Sequence, residues 1–292
     1  MTTMPIIPSE DKPAHFSLAL HDRDRSNLVS NLCDALASNF GISPNKQMSL
    51  RLQRIYSDVE SVALRHIISE LITLPPEHPS WFDLVAKLTV HETYFFRDEE
   101  QLNMLRNEIF PIKISKISQS TPSDFRILSA GCSTGEEVYS LSMLALEALC
   151  DAGFAYGTTC SGIRLMPNWS LEIMGLDVSS VALKIAKKGC YTDEGLGSFR
   201  GISSRWEKWF DELEEDNSLI KGINVSRQPK GFVRNITRFE QHNLLQSGAR
   251  FGLFDVIICR NTMIYFNDEN KCAVQHHLLN MLKPDGVLIL GA

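Results

Sequence analysis

Three times between residues 125 and 292 the chain passes from a short apolar run into a helix-spaced segment, and this alternation constrains it most. FRILSAG (125–131) precedes EEVYSLSMLALEAL (136–149), and LEIMGLD (171–177) precedes SSVALKIAKKG (179–189). FDVIICR (254–260) precedes NDENKCAVQHHLLNMLKPDG (267–286), which exits through Pro-Asp-Gly into a last strand, VLILGA. Strands that alternate with helices build a parallel, doubly wound α/β sheet. Ser179 or Ser180 is the expected cap of the second helix.

The remainder is organised differently. Residues 16–88 have helical spacing throughout: Leu28, Val29, Leu32, Leu36 and Phe40 precede a stop at Gly41. Ser43-Pro44 reads as an N-cap and N1 pair opening one helix, with Leu52, Ile55, Val59 and Val62 on its stripe. PPEHPSW breaks the pattern, and FDLVAKLTV closes it. The expected organisation is a flexible tail (1–15), an all-helical domain (16–88) and the α/β domain (89–292), interrupted by a small polar β insert (195–240). The chain stops directly after a core strand, so the pattern expects further strands beyond it.

At 292 residues, 43% of them hydrophobic, the chain can bury a sizeable core. A net charge of −6 argues against bulk nucleic-acid binding, which favours a basic footprint. No apolar run reaches the ~20 residues of a membrane span, and no signal peptide is legible at the start. The seven cysteines lack metal-ligand spacing, so reduced thiols in a cytoplasm are expected and a metal site is not.

Three stretches carry candidate chemistry. In RILSAGCSTGEE, Gly131 and Gly135 form a tight turn that lets backbone approach a ligand, although such turns also simply pack a helix on a sheet. It has neither a Walker loop nor G-x-G-x-x-G, and the paired acids Glu136 and Glu137 suit a cation better than a pyrophosphate. Asp177 ends the second strand, where doubly wound folds hold a ribose diol; a helix-capping role is the plain alternative. CRNTMIYF (259–266) puts Arg260 and Asn261 at the end of the next strand, where a buried ion pair and a core tyrosine, Tyr265, are the alternatives. A nucleoside carrying a positive charge, S-adenosylmethionine, fits this set.

HETYFFRDEEQL (91–102) joins these stretches in a known order, and together they resemble the CheR-type chemoreceptor glutamate methyltransferases. The likeness covers roughly residues 25–291 and is weaker before 85 and in 195–240. It implies a Rossmann-like S-adenosylmethionine-dependent methyltransferase sheet with an N-terminal helical domain and a small β insert. It also implies an enzyme forming glutamate methyl esters on the cytoplasmic helical domain of chemoreceptors, with S-adenosylhomocysteine as product and no membrane insertion. By resemblance, His91, Thr93 and Arg97 contact the cofactor or the transfer region, although the family often has Asn where this chain has His91. Glu136 or Glu137 would meet the methionine ammonium, Asp177 the ribose, and Asn243 and Leu244 the adenine. Arg260 and Asn261 would line the same pocket, with Tyr265 and Arg97 near the reacting centre. Lys46, Arg51 and Arg54 flank a helical stripe that an acidic receptor helix fits, and solvated charges are the alternative. Family members continue past the last strand, which would here be an open edge. Two other readings compete: a methyltransferase for small molecules or RNA, and an S-adenosylmethionine-binding signalling or partner-binding module without catalysis.

Overall fold

The computed structural model describes residues 14–89, 92–192, 197–213 and 226–291. The chain divides into two compact units at Trp81/Phe82, rather than at the 88/89 boundary expected from sequence.

The first unit is helical, with α1 (Ala14–Phe40), α2 (Lys46–Ile55), α3 (Ser61–Thr73) and the start of α4 (Pro79–Leu88). The stretch expected as one helix from Ser43 is two. Asn45, not Ser43, caps α2: its backbone is extended and its Oδ1 accepts from the Met48 N–H at 2.8 Å. The break after Ile55 has a physical cause, because the Arg25 guanidinium donates to the carbonyls of Tyr56 and Val59. Leu52 is buried as expected, but Val62 is 78% exposed, and Leu64, Ile68 and Leu71 form the buried stripe of α3. Trp81 is fully buried, its Nε1 donating to the Leu74 carbonyl at 3.3 Å.

In the second unit, α5 (Glu99–Met104) passes through a π-helical stretch (Leu105–Ile109) into α6 (Phe110–Ile117). There follow β1 (Ser123–Ala130), α7 (Glu136–Asp151), β2 (Ala155–Thr158), β3 (Gly162–Leu165), β4 (Trp169–Asp177) and α8 (Ser180–Lys188). A small region holds β5 (Tyr191–Thr192), α9 (Ser204–Glu207), β6 (Phe210–Leu213), β7 (Ser226–Pro229) and α10 (Gly231–Arg234). The chain ends with β8 (Thr237–Gln241), β9 (Phe254–Cys259), α11 (Asp268–Leu279) and β10 (Leu282–Leu290).

The central sheet is parallel throughout, in the order β10-β9-β1-β4-β8. Its side chains alternate between two cores. Ile127, Ile173 and Val256 face one, and their successors Leu128, Met174 and Ile257 face the other, as a sheet covered on both faces requires. Ser179 caps α8, accepting from the Ala182 N–H at 3.1 Å.

Three expectations change here. The stretch TRFEQ, assigned to the insert, is β8 of the main sheet, its polar character fitting an edge position. The antiparallel insert is β5-β7-β6, so its first strand begins at Tyr191 rather than after 195. Lys283-Pro284-Asp285-Gly286 is not a helix exit but part of β10, where the ladder to β9 slips between Leu282 and Val287. Among the described residues β10 pairs with β9 alone. No described helix is long and apolar enough to cross a membrane.

Candidate active site

The strand order reverses between β1 and β9, and ligands of such sheets bind beyond the carboxyl ends of the strands at that switch point. The turn after β1 and the residues Arg260-Asn261 after β9 stand there. Gly131 has φ +88°, and a Cβ on it would lie 2.1 Å from Thr262 Oγ1, so only glycine lets the two strand ends close on each other. Of the five non-glycine residues with positive φ among the described residues, Phe96, Asp98, Ser133 and Asn261 all belong to this region. Backbone held in sparsely populated conformations collects at functional sites.

Asp177 is 8% exposed, and each of its oxygens is held by backbone: Oδ2 accepts from Ser133 N and Oδ1 from Ser179 N, both at 2.8 Å. It thus joins the glycine turn to the start of α8. The paired acids on α7 have separate surroundings. Glu137 accepts from Arg260 Nε at 2.8 Å and from Ser129 Oγ at 2.7 Å. Glu136, 2% exposed, accepts from two hydroxyls: Thr134 Oγ1 at 2.6 Å and Ser198 Oγ at 2.7 Å. Burial raises its pKa, partly offset by those two hydrogen bonds and by one from its own backbone.

Arg260 is a buried strut rather than an open pocket wall. Its side chain is 3% exposed, and besides Glu137 its Nη1 donates to the Arg97 carbonyl at 2.9 Å. It therefore fixes the segment 92–101 from below. Within that segment the three aromatics divide. Phe95 is core, packed on Tyr191, Phe199 and Phe210 with ring centroids 4.8–5.0 Å apart. Phe96 stacks on Trp206 at 4.1 Å, and its N–H donates to the buried Ser140 Oγ at 3.0 Å. Tyr94 is half-buried with the Arg200 guanidinium 4.1 Å above its ring. Arg97, also half-buried, donates from Nη1 to the Glu92 carbonyl. A cleft of about 330 Å³ opens on this segment, lined by Tyr94, Asp98, Glu99, Arg200 and Trp206 among others. Thr93 is half-buried on the same segment; His91 lies outside the described residues.

Residues 91–292 match the family described as "CheR methyltransferase, SAM binding domain". The chain belongs to this family. It is an S-adenosylmethionine-dependent methyltransferase by that membership, and its likeness to chemotaxis enzymes is broad. It is 27% identical over 270 residues to a chemotaxis protein methyltransferase of Borreliella burgdorferi, covering 90% of this chain and 86% of the other. It is 32% identical to chemotaxis protein methyltransferase 1 of Pseudomonas aeruginosa, covering 72% and 68%. A probable biofilm formation methyltransferase from the same organism is 33% identical, covering 71% of this chain and 42% of the other.

The methyltransferase's own residues fit that cofactor chemically. Glu136 is a buried carboxylate with no cationic side chain paired to it among the described residues, and an ammonium would supply the missing charge. Asp177 is buried, with a backbone donor on each oxygen, and a carboxylate is the acceptor type that suits a diol. Beyond β8, Asn243 and Leu244 are buried, and Asn243 Oδ1 accepts from Leu245 N at 3.1 Å. Tyr265 is half-buried in a short 3₁₀ turn, Met263–Tyr265. The nearby thiols do not compete as nucleophiles: burial pushes Cys259 up to about 12 and Cys132 well above its ordinary range. Thr134, Ser140, Tyr191 and Ser198 were not legible as site residues, because single hydroxyls in a turn, a helix and an insert carry no spacing signal.

His242 follows β8 and is 6% exposed, its Nε2 3.2 Å from the Gln246 carbonyl. Burial, and then the Arg250 guanidinium, lowers its pKa from 6.5 to about 4. The unfolded chain thus binds an extra proton between those values. This contribution is complete above pH 6.5 and is lost as pH falls toward 4. Relative to His242→Gln, wild type should lose about 2–3 kcal/mol more stability between pH 7 and pH 4.5 in urea unfolding. Parallel losses would show that His242 ionises normally in the fold.

Proposed function

We propose that this methyltransferase esterifies glutamate side chains on the cytoplasmic helical region of chemoreceptors. The observation that carries the reading is the buried Glu136, with no cationic side chain paired to it among the described residues, set beside the segment bearing Arg97. Glu136 takes the ammonium of the cofactor, Asp177 the ribose hydroxyls, and Asn243 and Leu244 border the adenine. When bound, the cofactor supplies a sulfonium methyl group as electrophile.

The remaining work is alignment. A glutamate acceptor, with a reference pKa of about 4.3, is already ionised at pH 7, so the site needs no general base. Arg97 orients the incoming carboxylate by a charge-assisted hydrogen bond. Thr93 and Tyr265 border the reacting centre and, with Tyr94, exclude water, which favours neutralisation of two opposite charges. Phe95 and Phe96, spent in the core, hold that segment still, and alignment of this kind is worth effective molarities of about 10⁵–10⁸ M. On the helical unit, Lys46 and Arg54 are exposed on α2 and meet an acidic receptor helix.

The test uses methyl-labelled cofactor and a receptor cytoplasmic fragment. Label should enter the fragment and leave as methanol in mild alkali, the signature of a carboxyl ester. Arg97→Ala should lower the rate at least about tenfold with an unchanged melting temperature. Alkali-stable label, or none with a chain that binds S-adenosylhomocysteine, would overturn the acceptor assignment.

A further inference from the structure

Beyond the residues that touch the cofactor under the proposed function, we infer that Ser198 is a positioning residue that sets Glu136 for the cofactor ammonium and locks it to the Arg97 segment. Its hydroxyl donates to Glu136 Oε1 at 2.7 Å, while Thr134 holds the other oxygen at 2.6 Å. The carboxylate is thereby fixed in rotation with one donor on each oxygen. The Ser198 carbonyl accepts from the Phe95 N–H at 2.8 Å, so one residue binds both the acid and the segment carrying Thr93 and Arg97.

A second link runs in parallel. Ser140 Oγ donates to the Glu136 carbonyl at 2.7 Å and accepts from the Phe96 N–H at 3.0 Å. Neighbouring parts of the insert hold the same assembly. Tyr191 donates to the Thr134 carbonyl at 2.7 Å, and Arg200 pairs with Glu92 at 2.7 Å. Displacement of Ser198 therefore frees the Glu136 carboxylate to rotate and loosens the backbone beneath Tyr94 and Arg97. A residue of the small β region thus acts on the cofactor site through Glu136 and on the transfer site through Phe95.

This inference rests on the assignment of Glu136 to the ammonium, and the experiment separates the two. S-adenosylhomocysteine binding to the full chain is measured by calorimetry for wild type, Ser198→Ala, Glu136→Gln and the double variant. Ser198→Ala should weaken binding about tenfold, the effect of losing one hydrogen bond to a charged group. In the Glu136→Gln background the same change should cost less than about twofold, because the partner charge is gone. Ser198→Thr, which keeps the hydroxyl, should recover most of the affinity. If Ser198→Ala melts early, Ser198→Cys, a near-isosteric and weaker donor, replaces it in the cycle. Additive losses, or wild-type binding by Ser198→Ala while Glu136→Gln binds poorly, would overturn the role of Ser198. Wild-type binding by Glu136→Gln would instead overturn the ammonium assignment.

Discussion

Arg260→Ala should destabilise the α/β unit by about 3–5 kcal/mol, the cost of leaving a buried charge without its partner. The Arg260 side chain is 3% exposed and that of Glu137 14%, so water cannot take the place of the guanidinium. The variant also abandons the Arg97 carbonyl, which accepts from Nη1 at 2.9 Å. Arg260→Lys should recover only part of the loss, because one ammonium cannot reproduce the fork that reaches Glu137 and Arg97 together. Adding Glu137→Gln to Arg260→Ala should restore stability by removing the stranded charge. Urea unfolding of the four proteins checks this; a loss under about 1 kcal/mol for Arg260→Ala would mean the pair behaves as a solvated one.

The second large effect is on binding. Asp177→Ala should weaken S-adenosylhomocysteine binding by about 100-fold or more, since hydrogen bonds to a charged group contribute about 1.5–3 kcal/mol each. The same side chain accepts from Ser133 N and Ser179 N, so its loss also releases the glycine turn. Asp177→Asn separates the two roles: its amide oxygen keeps one backbone contact, and its charge is gone. Binding within about threefold of wild type by a folded Asp177→Ala would reduce the residue to a structural support of the turn and of the start of α8.

The parallel sheet was legible because each of its strand–helix units is written in neighbouring residues. Apolar runs such as FDVIIC, a glycine stop and a capping serine are local signals, and β9 and the Ser179 cap follow from them. The edge strand β8 was not legible, since TRFEQ has neither an apolar run nor a sharp boundary, and its place depends on pairing with β4. The helix break before α3 was hidden for a similar reason. The guanidinium that takes the Tyr56 and Val59 carbonyls comes from Arg25, more than one helix earlier.

At the site, the sequence by itself determined the glycine turn, two adjacent acids, an acid ending β4 and an Arg-Asn pair ending β9. It could not say which acid is neutralised. Only the tertiary structure pairs Glu137 with Arg260, across 123 residues, and sets Glu136 against two hydroxyls, one of them 62 residues away. The same holds for Tyr94, Phe95 and Phe96, alike in sequence but divided by packing into one half-buried ring and two core rings. Hydrophobic period and turn chemistry act between neighbours and are therefore written along the chain. Charge compensation and ring packing act through space, so their partners are fixed only when the fold brings distant residues together.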